Sequence, residues 1–164
     1  MKLRSTMLMA ISLFAISNIN AQTSDAEADA IINLLGVKKR EAVAKMVVVN
    51  GKDSAAFWKI YDEYQVSNRA TAKSRMALYE RTAQAYGRMN PAVADSLAMA
   101  YFSNRAEQEK SLESFYNKIK SATNGLIAFE FYQAEVYLLN SIRTSIMQQI
   151  PTYGQLINDA NKNK

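Results

Sequence analysis

The chain contains no cysteine and no histidine, and this double absence removes several kinds of site at once. Without cysteine there are no disulfides, so stability in an oxidising compartment has to come from packing alone. Without thiolate or imidazole ligands, zinc, nickel and copper sites of the usual types are not expected. We therefore expect a protein that carries neither a metal nor another cofactor.

A strong charge of one sign is also missing. The 20 basic and 15 acidic residues give a net charge of +5, which falls to +3 if Lys2 and Arg4 are removed with the N-terminal segment. Such a small, scattered excess does not provide the dense basic face that nucleic-acid binding requires. It supports at most a weak attraction to acidic surfaces.

Proline and glycine are scarce, with two and five residues respectively, and strand-like alternation is nearly absent. Apolar residues instead recur at steps of three and four among good helix formers. The sequence predicts an all-α fold with helices at roughly 25–45, 53–89, 91–121 and 123–150.

The joins between these helices carry capping signals. Asn50 or Asp53 is predicted to cap the second helix, and Thr123 the fourth. Asn90 followed by Pro91 predicts a sharp stop and restart, because asparagine caps well and proline suits the first helical position. The three valines at 47–49 disfavour helix, and a short strand at 46–49 is the alternative.

The short turn at Asn90 predicts that the second and third helices form a long antiparallel hairpin. At 1.5 Å per residue the second helix would be about 55 Å long. Polar belts at 65–75 and 103–110 then come to the same height. They supply a candidate partner-binding surface of Arg69, Lys73, Arg75, Arg105 and Lys110, to which we add the only tryptophan, Trp58. Packing of Trp58 on the first helix is the alternative.

The N-terminus has the order of a secretory signal. Basic Lys2 and Arg4 precede an apolar run at 7–16 that is too short to span a membrane as a helix, and Ala21 follows. We expect cleavage after Ala21 and a periplasmic protein, with an uncleaved anchor as the alternative because Ile19 is bulky. The mature chain would be one helical domain over 22–153 with a polar tail at 154–164.

No pattern typical of catalysis is present. Carboxylate pairs such as Glu107 with Glu109 point in different directions on a helix and have no nucleophile beside them. Glycine-rich phosphate loops and G-x-S-x-G elbows are absent. The basic run Lys38-Lys39-Arg40 is interpreted as solvated, with at most weak contact to lipid head groups. We expect no enzymatic activity.

Three segments resemble the Spy/CpxP-like group of small periplasmic helical proteins: FWKIYDEY at 57–64, FEFYQAE at 129–135 and LLNSIRTSIMQQIP at 138–151. That group shows an L-T-x-x-Q capping motif at helix starts, an F-W-x-x-Y-x-x-Y run and a later Q-x-E pattern. Gln133 and Glu135 match the last of these. The capping motifs would fall at 49–53 and 122–126, where only Asn50 and Thr123 keep a capping residue.

The resemblance implies an elongated, curved helical cradle that is dimeric in many members of the group, so a homodimer is one expectation. It also implies an ATP-independent chaperone for unfolded envelope proteins in envelope stress. Two alternatives stay open. One is an accessory regulator that docks on a membrane-bound stress sensor or anti-sigma system. The other is a structural subunit resembling the coiled-coil outer-membrane chaperones, with a small sheet built from 47–49.

Overall fold

A computed structural model of the protein describes residues 25–148 and 153–162. The signal sequence predicted at 1–21 and the helix stop predicted at Pro151 lie outside these ranges. Within them the chain is helical and contains no strand, which confirms the all-α prediction. The elements are α1 (Asp25–Met46), α2 (Asp53–Ser67), α3 (Arg69–Ala85), a 3-10 turn (Tyr86–Arg88), α4 (Pro91–Ala122), α5 (Gly125–Met147) and α6 (Tyr153–Lys162).

The chain divides into two compact units after Tyr137. The first unit, Thr23–Tyr137, holds α1 to α4 and the first half of α5. The second contains the chain from Leu138 onward, with the end of α5 and with α6. Residues 154–162, expected to be a polar tail, belong to the helix α6. The candidate site lies wholly in the first unit.

The predicted single helix over 53–89 is interrupted at Asn68, which separates α2 from α3. Both the backbone N–H and the side-chain amide of Asn68 donate to the Tyr64 carbonyl, at 3.0 Å each. Asparagine side chains compete with the helical ladder in this way, and the ψ of −2° at Asn68 departs from the helical value. The ladder resumes at once, since the Ala72 N–H donates to the Asn68 carbonyl at 2.9 Å.

The stop and restart at 86–91 follows from local hydrogen bonding. A 3-10 turn ends the α3 segment at Arg88, and Met89 is extended. The Asn90 side chain accepts the Val93 N–H at 3.1 Å, and Pro91 occupies the first helical position of α4. Asn90 therefore satisfies a backbone donor that the first turn of α4 would otherwise leave unpaired.

The contacts of α4 with α2 and α3 run in antiparallel order. Tyr101 of α4 bonds Thr82 at 2.8 Å, and further along α4 Gln108 bonds Arg75 at 2.6 Å. Further still, the Phe115 ring meets the Tyr64 ring of α2 at 5.3 Å. The residue numbers on α4 increase while the residue numbers of their partners on α3 and α2 decrease. The curved dimeric cradle implied by the resemblance stays a prediction.

The cap predicted at Asn50 or Asp53 is wrong. The helix α2 starts at Asp53 with Lys52 before it, and no side chain bonds its first N–H groups. Gly51 turns the chain instead, at φ +60°, a left-handed conformation that glycine adopts without steric cost. Asp53 lies inside the first turn, where the positive end of the helix dipole stabilises its carboxylate. Residues 48–50 form an irregular link, so the alternative strand at 46–49 is also wrong.

The cap predicted at Thr123 is wrong by one position. Asn124 accepts the N–H groups of Leu126 and Ile127, at 2.9 and 3.1 Å, and so caps α5. The Thr123 hydroxyl points back into the preceding helix and donates to the Ile119 carbonyl at 2.7 Å. Both residue types can cap, so the pattern alone did not discriminate between neighbours.

Candidate functional site

Aromatic side chains from three helices form the core of the first unit. Phe57, Tyr61 and Tyr64 lie on one face of α2 at helical spacing and are fully buried. The Phe131 ring of α5 meets these three rings at 6.5, 6.2 and 5.3 Å, each time edge to face. Phe115 of α4 meets Tyr64 in the same geometry. Such pairs add to the stabilisation from burial, by about 0.5–1.5 kcal/mol each.

A carboxylate lies inside this core. Glu135 of α5 is 0% exposed, and its two oxygens accept the hydroxyl groups of Tyr61 and Tyr64, at 3.2 and 2.7 Å. The Lys39 ammonium of α1 lies 2.7 Å from the same carboxylate and 5.1 Å from the centre of the Tyr64 ring. We call Lys39, Tyr61, Tyr64 and Glu135 the buried ionic cluster. It connects α1, α2 and α5.

The two tyrosine hydroxyls of the cluster keep their protons over a wide pH range. Burial raises the pKa of the Tyr61 hydroxyl, and the Glu135 carboxylate raises it further by its charge and its hydrogen bond. The pKa of Tyr64 is raised well above its usual value for the same reasons. Both hydroxyls are therefore neutral donors, and neither can act as a base at ordinary pH. The cluster is suited to holding helices together.

The cluster corrects the interpretation of the run Lys38-Lys39-Arg40 as solvated. Lys38 and Arg40 are exposed, and Lys38 is paired loosely with Glu41 at 3.6 Å, whereas Lys39 is buried. Lys39 lies four residues after Leu35 and four before Val43, so it falls in the apolar stripe of α1. A charged residue at a stripe position was the signal that sequence reasoning missed, since a buried lysine needs a partner of opposite charge.

Trp58 lies outside the core and is covered by α1. The Arg40 guanidinium stacks over the Trp58 ring at 4.3 Å from its centre, and the Arg40 Nε donates to Asp62 at 3.0 Å. The indole is half-buried. Packing on the first helix, the stated alternative for Trp58, is what the structure shows.

The remaining candidate surface residues lie on α3 and α4. Arg69 follows Trp58 by eleven residues, which is about 16 Å along a helix axis. Arg105 and Lys110 are both exposed on α4, but five residues on one helix point about 140° apart. The structure brings together Arg75 and the 103–110 belt through the bond of Arg75 to Gln108. Lys73 is half-buried on α3, and Arg69 is exposed.

The polar belts at 65–75 and 103–110 meet partly through buried amides. The sequence analysis had assigned these belts to a charged partner-binding surface. Asn104 and Gln108 are almost completely buried on α4. The Asn104 amide donates to the Thr71 carbonyl at 2.9 Å, and Gln108 accepts from Arg75. Their spacing of four residues, continued by Leu112, was the available signal that they face the neighbouring helix.

A groove with a volume of about 250 Å³ lies between α3 and α4. Small side chains leave the space, and Arg81 and Glu107 contribute the charges. Its lining consists of Ser74, Ala77, Leu78, Arg81, Ala100, Ser103, Asn104 and Glu107.

Exposed large apolar side chains form one group on α4 and another on α5. On α4, Met99 and Phe102 form what we call the α4 outer pair. On α5, exposed Leu126, Phe129, Tyr132 and Tyr137 form what we call the α5 outer face, and the rings of Phe129 and Tyr132 lie 6.5 Å apart.

In the described ranges, 25–148 and 153–162, no helix is long and apolar enough to cross a membrane. Nor does any group of three or more acidic side chains converge there as a metal site would need. Comparison of the chain with family models, with curated proteins and with solved structures gives no match. The resemblance to the Spy/CpxP-like group therefore stays a prediction.

Proposed function

We propose that this chain is a helical binding protein of the bacterial periplasm that holds partly unfolded envelope proteins without ATP. The observation that carries the proposal is the exposure of large apolar side chains, such as Leu126 and Phe129, on a helix held by a packed core. Apolar groups left in water on a rigid surface favour contact with the apolar segments that an unfolded protein exposes.

Weak and reversible binding suits such a role. Exposed aromatic rings such as Phe129 and Tyr132 offer apolar contact to many different side chains of a client. Exposed Arg105 and Lys110 add screened, long-range attraction to acidic clients rather than high affinity. Neither kind of contact requires a nucleotide or a cofactor.

Light scattering of an aggregating client tests the proposal. Citrate synthase unfolded by heat is the probe, and the protein without residues 1–21 is added at equal molarity. We expect suppression of scattering, and a variant with Arg105→Gln and Lys110→Gln should retain most of it at physiological salt. No suppression by the unsubstituted protein would refute the proposal.

A different result would favour the regulator. Crosslinking in cells would then recover one membrane-bound sensor, while the aggregation of citrate synthase would be unaffected.

A further inference from the structure

The opposite side of α5 packs into the core, and this packing keeps the α5 outer face exposed to solvent. Leu126, Phe129, Tyr132 and Tyr137 are 68%, 51%, 38% and 51% exposed. The other side of α5 contributes Phe131 and Glu135 to the core. Because Glu135 is bonded to Tyr61, Tyr64 and Lys39, the helix cannot turn its outer face inward without leaving a buried carboxylate unpaired.

The helix contributes no unengaged charge to this face. Between Gly125 and Tyr137, α5 has only two charged residues, Glu130 and Glu135. Glu130 accepts the Val48 N–H at 3.1 Å, and Glu135 is buried. A face whose one carboxylate is already hydrogen-bonded favours an uncharged partner, since burying a charged side chain against its apolar residues would cost desolvation.

The size of the face favours a short segment over a second copy of the chain. From the exposed fractions, its four side chains offer roughly 400 Å². A stable protein–protein interface needs about 800 Å² from each partner. The face therefore provides about half of a stable dimer interface, which is enough for weak and transient binding.

We propose that the α5 outer face is the site where an uncharged segment of an unfolded polypeptide, rich in aromatic and aliphatic side chains, binds. This assignment rests on the proposed function. It places client binding on α5 instead of on the polar belts at 65–75 and 103–110. Phe129 and Tyr132 supply ring faces for stacking, and Leu126 extends the apolar contact by a turn.

The α4 outer pair supplies a matched control. Met99 and Phe102 are as exposed as Leu126 and Phe129, but Arg105 and Glu109 follow Phe102 within two turns on the solvent side of α4. Replacing two exposed apolar residues by serine removes a similar apolar area in either place. Neither pair takes part in the core, so circular dichroism should show equal helix content for both variants.

The experiment measures binding of a fluorescein-labelled peptide of alternating leucine, phenylalanine and serine by fluorescence anisotropy. We expect Leu126→Ser with Phe129→Ser to weaken binding by about tenfold or more, and Met99→Ser with Phe102→Ser to change it little. A peptide with lysine at the apolar positions should bind far more weakly to all three proteins.

Three other outcomes would each contradict one part of the proposal. Binding that survives the α5 substitutions but disappears in about 0.5 M salt would move the site to the basic residues and leave the proposed function standing. Failure of the unsubstituted protein both to bind the peptide and to suppress aggregation would refute the proposed function itself. A dimer in sedimentation that the α5 substitutions dissociate would show that a second copy covers the face.

Discussion

Breaking the Lys39–Glu135 pair from one side should destabilise the fold strongly. At 2.7 Å and an effective dielectric constant of about 20, their attraction is about 6 kcal/mol. Desolvation of two buried charges costs several kcal/mol for each ion, so the pair as a whole contributes little net stability. One charge left alone keeps its desolvation cost and loses the attraction. We expect Lys39→Met or Glu135→Gln each to lower the free energy of unfolding by about 3–5 kcal/mol.

The double variant separates this reasoning from a simple loss of contacts. With both charges gone, one tyrosine hydroxyl can still donate to the amide oxygen at position 135, and the other can accept from the amide nitrogen. We therefore expect the double variant to be more stable than either single variant. Urea unfolding at neutral pH, followed by circular dichroism, measures all three. Lys38→Met is the control, because Lys38 and Glu41 are both about half exposed and such pairs contribute under about 1 kcal/mol. Additive losses in the double variant would refute the argument.

Three further predictions follow from the described contacts. Because the pKa values of Tyr61 and Tyr64 are raised in the fold, only the unfolded chain releases these protons above about pH 10. The free energy of unfolding should therefore be unaffected below that pH. Above it, each tyrosine should lower the free energy of unfolding by about 1.4 kcal/mol per pH unit. Tyr64→Phe should reduce the measured slope by about 1.4 kcal/mol per pH unit in urea titrations, and an unchanged slope would contradict it. Asn124→Ala should lower the free energy of unfolding by about 1 kcal/mol, and Thr123→Ala should lower it by less. The reverse order would show that Thr123 is the cap of α5. Ser111→Ala should raise the free energy of unfolding by about 1 kcal/mol, because the buried Ser111 hydroxyl has no hydrogen-bond partner in the described part of the chain; a loss would show that a partner exists.

Periodicity predicted the parts of this fold that depend on local spacing. Phe57, Tyr61 and Tyr64 recur at steps of four and three residues, and the structure buries all three, because residues at these steps share a helix face. The interruption at Asn68 was missed because asparagine in a long polar stretch looks the same whether its side chain meets water or its own backbone.

The buried ionic cluster could not be predicted by the same means. Lys39 and Glu135 both match stripe positions, but a helical pattern does not say which charged residue on one helix meets which on another. The two are 96 positions apart, and many acidic residues compete as partners in the sequence. Tertiary packing alone selects Glu135, which has Phe131 one turn before it and Leu138 one turn after it, both buried.

That separation of Lys39 from Glu135 has a consequence for the order in which the chain folds. The pairs of α3 with α4 close loops of 19 to 33 residues, and the Arg40–Asp62 pair of α1 with α2 closes one of 22, whereas the Lys39–Glu135 pair closes one of 96. Closing longer loops costs more chain entropy and slows folding. We expect the antiparallel contacts and the α1–α2 contact to form early and the buried ionic cluster to be completed last, so a nascent chain that ends before position 135 stays incompletely folded.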